Sequence, residues 1–211
     1  MLLIGMFDSP FVRRVAISMK LLGLSFEHAN WSVGKDFDRI RQYNPLGRVP
    51  TLVLDDDEAL LESSAILDYI DSLVDPHRAL LPATGKPRRD ALRIMALATG
   101  AAEKGVSQVY EGAFRPAEKR HQPWIDRCAQ QVQGAFTELE RECKHHCKGS
   151  WLLGNRITQA DITLACVTTF LTDAAGMNSM PYPAVQELVA RCEALPEFQS
   201  TRMAFYTPGQ S

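Results

Sequence analysis

Ser9 stands directly before Pro10, and Val12, Val15, Ala16, Met19 and Leu22 follow at helical spacing until Gly23. Serine followed by proline is an N-cap with proline at the first helical position, where its missing N–H costs nothing. A hydroxyl placed there sits at the positive end of a helix and favours negative charge beside it. Glu62, Ser63 and Ser64 precede Ile66, Leu67, Ile70, Leu73 and Val74, a second helix with a hydroxyl-rich start. Thr158 and Asp161, flanked by Ile157 and Ile162, form a capping box with a hydrophobic staple, which is a structural device rather than a chemical one. Cys143 and Cys147 lie four residues apart with His146 nearby, but a fourth zinc ligand is not evident, so no metal site is expected. The chain has no Gly-x-Gly-x-x-Gly, no P-loop and no Gly-x-Ser-x-Gly, which removes support for nucleotide chemistry and for a serine-hydrolase elbow.

These residues need elements to hold them. Residues 2–6 read as a buried strand, and the Ser9 helix follows. Residues 26–30 read as a second strand, 36–43 as a short helix, and 51–54 with 59–61 as an antiparallel hairpin around an acidic turn. The order βαβ, helix, ββα implies a small mixed sheet with helices on its faces. After Leu80-Leu81-Pro82-Ala83-Thr84-Gly85-Lys86-Pro87 the strand-like alternation stops. Helices are expected near 89–112, 124–146, 158–171 and 184–195, with a short one after Glu197. The expected organisation is an α/β domain over residues 1–81, a linker at 82–87 and an all-helical domain over 88–211.

Composition narrows the partners. A chain of 211 residues with 45% hydrophobic residues can bury a full core without staples. With 23 Lys+Arg against 25 Asp+Glu it has no global positive field, so neither nucleic acid nor an anionic membrane surface is an expected partner. No segment has the length and apolarity of a transmembrane helix or the layout of a signal peptide, and a soluble cytoplasmic protein is the simplest reading. Cysteines 128, 143, 147, 166 and 192 are odd in number and confined to the second half, which reads as reduced thiols rather than a disulfide framework.

Three stretches occur in a telling order: Ser9-Pro10-Phe11-Val12-Arg13 after the first strand, Asn44-Pro45-Leu46-Gly47-Arg48-Val49-Pro50 before the hairpin, and Glu62-Ser63 at the third helix. With the Thr158–Asp161 cap, the chain resembles the cytosolic glutathione transferases over nearly its whole length. The Ser-Pro-Phe-Val-Arg form is closest to tau-class and related bacterial members and differs from the Ser-Ser-Cys form of the zeta class. The resemblance implies a thioredoxin-like N-terminal domain with an all-helical C-terminal domain, a homodimer, and glutathione as co-substrate without a metal.

It also implies roles for residues. Val49-Pro50 would carry the family's cis peptide, whose backbone pairs with the cysteinyl part of glutathione. Glu62 and Ser63 would hold the γ-glutamyl end, the helix-terminal amide and hydroxyl suiting a carboxylate and the acid suiting an ammonium. Arg48 would neutralise the glycyl carboxylate, with Lys35 a weaker candidate. Ser9 would donate a hydrogen bond to the glutathione sulfur, and the absence of cysteine there disfavours thiol–disulfide exchange. Phe7, Tyr110 and Phe114 are candidates for the apolar wall of an electrophile pocket between the domains. The implied activity is transfer of glutathione to a small hydrophobic electrophile, as in detoxification. A non-catalytic binding or regulatory module of the same fold is the alternative, because fold does not fix activity.

Overall fold

A computed structural model describes residues 1–146 and 150–207 of the chain; Cys147, one of the residues weighed as a zinc ligand, lies outside them. Strand β1 (Leu2–Ile4) leads into α1 (Pro10–Leu22), then β2 (Glu27–Ala29), a single helical turn α2 (Phe37–Ile40), the hairpin β3 (Thr51–Val53) and β4 (Ala59–Leu61), and α3 (Ser63–Ser72). The sheet order is β2-β1-β3-β4, with β1 parallel to β2 and antiparallel to β3. This is the thioredoxin-like arrangement. A crossover through α1 makes the first pair parallel, and the acidic turn folds β4 back beside β3.

The helices α4 (Gly85–Phe114), α5 (Gln122–His146), α6 (Gln159–Ala175), α7 (Pro183–Glu193) and α8 (Pro196–Gln199) complete the fold, with one 3-10 turn at Ala117–Lys119. Helix α6 is the axis of this helical part. From Gln159 to Thr168 every residue is buried, as the apolar run on several of its faces requires. It packs on α4, on α7 and, across the two halves, on α1. Its start is fixed by Asp161, whose carboxylate accepts from the Thr158 amide at 2.8 Å, the Thr158 hydroxyl at 2.7 Å and the Leu152 amide at 2.8 Å.

One continuous apolar core runs from Leu3, Val12 and Ile66 through Ala98 and Phe136 to Leu164 and Leu188, so the sheet half and the helical half share an interior. Cys128, Cys143, Cys166 and Cys192 are buried, and burial pushes the Cys166 thiol up to about 12. Among the described residues no cluster of His, Cys, Asp and Glu could hold a metal ion, and no helix is long and apolar enough to cross a membrane.

Candidate active site

Ser9 has extended backbone angles, φ −71° and ψ 123°, and caps α1 with Pro10 as the first helical residue. Its Oγ accepts the Val12 amide at a long 3.5 Å. That acceptor role leaves the hydroxyl proton available to another group, and the positive end of the α1 dipole lies at the same place. Gly5, at the end of β1, makes this approach possible. A Cβ on it would lie 2.6 Å from Val12 and 2.7 Å from Val49, so glycine brings the Ser9 turn and the Val49 loop together.

Ser9 opens onto a cleft of about 710 Å³ between the two halves of the molecule. Arg48 and Val49 line it on the sheet side, and Tyr110 and Phe114 line it from α4. The rings of Tyr110 and Phe114 meet edge to face at 5.0 Å, and burial pushes the Tyr110 phenol up from its ordinary value. Phe7 is not in this wall. It precedes α1 in the turn after β1, and its ring stacks flat on His28 with centroids 3.8 Å apart, while His28 Nε2 meets the Gly5 carbonyl at 2.7 Å.

The Val49–Pro50 peptide is cis. Pro50 itself is buried, and Val49 is the member of the pair that reaches the cleft. Arg48 is exposed and its Nη2 is paired with Glu103 of α4 at 2.8 Å. Lys35 is outside the lining, with its ammonium 5.1 Å from the Tyr206 ring centroid.

Glu62 and Ser63 form a separate polar station at the start of α3. Glu62 takes the unusual φ of +71° as the N-cap, accepting from the Ser64 amide at 3.0 Å and the Ser63 hydroxyl at 3.1 Å. Arg14, fully buried on α1, donates to Ser63 Oγ at 2.6 Å and Ser64 Oγ at 2.9 Å. A guanidinium only donates, so Ser63 Oγ must accept from it, and the serine proton is turned toward Glu62. Burial pulls the Arg14 guanidinium down to about 10, with the Glu62 charge acting the other way.

Further cleft residues carry no local signal in the sequence: Asp8, Trp31, Glu103, Phe170, Phe205 and Tyr206. The last two come from the extended segment after α8, which returns to the sheet half where the Tyr206 amide donates to Asp8 Oδ2 at 3.0 Å. Burial pushes the Asp8 carboxyl up, and hydrogen bonds from the Tyr206 and Ser9 amides act against that rise.

Comparison with known proteins follows the same division. The glutathione S-transferase N-terminal domain family matches residues 3–78, and the glutathione S-transferase C-terminal domain family matches residues 122–191. The chain is 30% identical over 171 residues to the uncharacterized GST-like protein YibF of Escherichia coli (strain K12), covering 81% of this chain and 82% of that one. It is 29% identical over 199 residues to Glutathione S-transferase Z1 of Arabidopsis thaliana, covering 91% and 86%. A crystal structure of a glutathione S-transferase from Methylobacterium radiotolerans in complex with glutathione sulfonate superposes with a TM-score of 0.88 at 27% identity, covering 98% of this chain and 96% of that one. A thioredoxin-like sheet, a helical second half and whole-length relatives therefore agree: the chain belongs to the glutathione S-transferase family.

Proposed function

We propose that the protein is a glutathione transferase in which Ser9 holds the bound glutathione sulfur as a thiolate for attack on a small hydrophobic electrophile. The observation that carries this reading is the Ser9 N-cap opening onto an interdomain cleft with aromatic side chains from α4 in its wall. In this reading the Val49 backbone pairs with the cysteinyl part of glutathione, Glu62 and Ser63 take the γ-glutamyl end, and Arg48 takes the glycyl carboxylate by exchanging it for Glu103. The Glu62 carboxylate at the start of α3, able to accept from an ammonium, supports the γ-glutamyl assignment. A homodimer belongs to the same proposal and is supported by family membership alone.

The energetics are sufficient. A free thiol with a pKa of about 8.5 is only about 3% ionised at pH 7. Lowering that value by roughly two units makes most of the bound thiol reactive and requires about 2.7 kcal/mol of preferential thiolate stabilisation. A hydroxyl donor to a charged acceptor supplies about 1.5–3 kcal/mol, and the helix end adds about 0.3–1. The thiolate then forms the carbon–sulfur bond while the electrophile's leaving group departs with its electron pair; Ser9 keeps its proton throughout.

The test is Ser9→Ala. Glutathione affinity by calorimetry should stay within about threefold, whereas kcat/KM should fall about 10- to 100-fold, equivalent to about 1.4–2.7 kcal/mol. A wild-type protein that fails to bind glutathione at millimolar concentration would instead be a non-catalytic module of this fold.

A further inference from the structure

Arg14 is a fully buried cation that donates to three hydroxyls: Ser63 Oγ at 2.6 Å, Ser64 Oγ at 2.9 Å and Thr163 Oγ1 at 3.3 Å. Its neighbour Arg13, by contrast, meets both carboxylate oxygens of Glu193. Among the described residues no carboxylate accepts directly from Arg14. Glu62 reaches it through the Ser63 hydroxyl, which donates to Glu62 Oε1 at 3.1 Å. The other acids of α3 are engaged elsewhere: Asp71 accepts from the Leu80 and Leu81 amides, and Asp68 lies 3.9 Å from Arg88. A buried charge without a directly paired partner is costly, so this one invites a further anion.

The directions of these hydrogen bonds leave one proton over. Both serine oxygens accept from Arg14, so their own protons turn elsewhere. The Ser63 proton goes to Glu62, and Ser63 is buried. Ser64 is exposed, and its hydroxyl has no acceptor among the described residues.

We propose that Arg14 is the positioning residue of the station at the start of α3: it fixes the Ser64 hydroxyl as a donor to the α-carboxylate of the γ-glutamyl end and sets a positive charge behind it. The proposal rests on the glutathione reading above and adds Ser64 and Arg14 to it, with Glu62 receiving the ammonium and Ser63 holding Glu62 and Arg14 together. The charges then alternate: Arg14, ligand carboxylate, ligand ammonium, Glu62. The carboxylate brings the negative charge that Arg14 lacks, relayed by a hydroxyl whose hydrogen bond is strengthened by charge on both sides. Arg14 lies outside the lining of the Ser9 cleft, so its effect falls on ligand binding and not on thiol ionisation.

The test compares glutathione with γ-aminobutyryl-cysteinylglycine, which lacks only that carboxylate, by calorimetry on the wild-type protein, Arg14→Met, Arg14→Lys and Ser64→Ala. Wild type should bind glutathione about 30-fold more tightly than the analogue, as a hydrogen bond to a charged group supplies. The gap should fall to about threefold or less in Arg14→Met and to about tenfold in Ser64→Ala, with the affinity for the analogue little changed. Arg14→Lys keeps the charge without the forked donors and should restore part of the gap. An arginine that only ties α1 to α3 and α6 would weaken both ligands alike, so a gap as wide in Arg14→Met as in wild type overturns the proposal. Should Arg14→Met not fold, the other two variants decide: wild-type gaps in both overturn the proposal, and reduced gaps support it. A wild-type protein that binds neither ligand removes the glutathione reading itself, whereas one that binds both equally removes only the role of Arg14 and Ser64.

Discussion

The Ser9 oxygen accepts the Val12 amide and still has a proton to donate at the same helix end. Beside it, Asp8 anchors the returning chain through the Tyr206 amide at the cost of its own hydration, which is why its carboxyl titrates above the ordinary range. A folded pKa above the unfolded value means that the stability contributed by Asp8 is complete below about pH 4 and is lost as pH rises through the raised value. Asp8→Asn keeps an oxygen for Tyr206 and removes that titration. Its melting temperature relative to wild type should therefore increase with pH above about 4 and then level off; a difference independent of pH would show that Asp8 is not strained by burial. Ser9, Arg48, Val49, Tyr110 and Phe114 could be picked out in the sequence because motif order marked the first three and helical spacing the last two. Trp31, Glu103, Phe170, Phe205 and Tyr206 could not, since they converge from separate elements and have no shared period. Phe7 shows the complementary limit: nearness to Ser9 in sequence does not say which way a ring in a turn faces, and His28 captures it.

At the scale of elements, helix termini were the legible features. Ser9-Pro10 begins α1 and Gly23, in the left-handed conformation, ends it, as N-cap, first-turn proline and C-terminal glycine require. The start of α4 was harder to read. It begins at Gly85, inside the stretch 82–87 read as linker, because Pro87 lies in the first turn where its missing N–H has no intrahelical partner to lose. Helix α2 is shorter than the expected 36–43, since Asn44 turns the chain by accepting from the Leu46 amide and donating to the Arg48 carbonyl. The cap of α6 carries a stability prediction. Asp161→Ala leaves the buried Thr158 and Leu152 amides without their acceptor, at about 1–3 kcal/mol each. A loss of roughly 3 kcal/mol or more in urea unfolding is expected; a loss below about 1 kcal/mol would reduce the cap to an ordinary exposed one.

At the scale of the molecule, the cleft exists only while the two halves hold their positions. Arg13, 3% exposed, donates to both carboxylate oxygens of Glu193 at 2.7 Å and to the Phe198 carbonyl at 3.0 Å, tying α1 to α7 and α8. The Gln159 amide donates to the Leu80 carbonyl at 2.9 Å, and Arg156 donates to the His77 and Ala79 carbonyls, fastening the chain after α3 to the start of α6. Without Arg13 the part-buried Glu193 carboxylate loses its bidentate cation and keeps the Thr169 hydroxyl at 2.9 Å. Arg13→Met should cost about 3 kcal/mol in chemical denaturation, with both halves still unfolding in one transition because they share a core. Two separated transitions would show that Arg13 alone couples them. None of these contacts between halves is visible in a linear pattern, since each joins residues far apart in the chain.

Ultraviolet titration of the glutathione thiol in its complex with this protein, for wild type and Ser9→Ala, bears most directly on the role of Ser9. Wild type should ionise the bound thiol roughly two units below the free value, and the variant should return most of that shift. Equal thiol pKa values in the two proteins, or a bound thiol no more acidic than the free one, would contradict it.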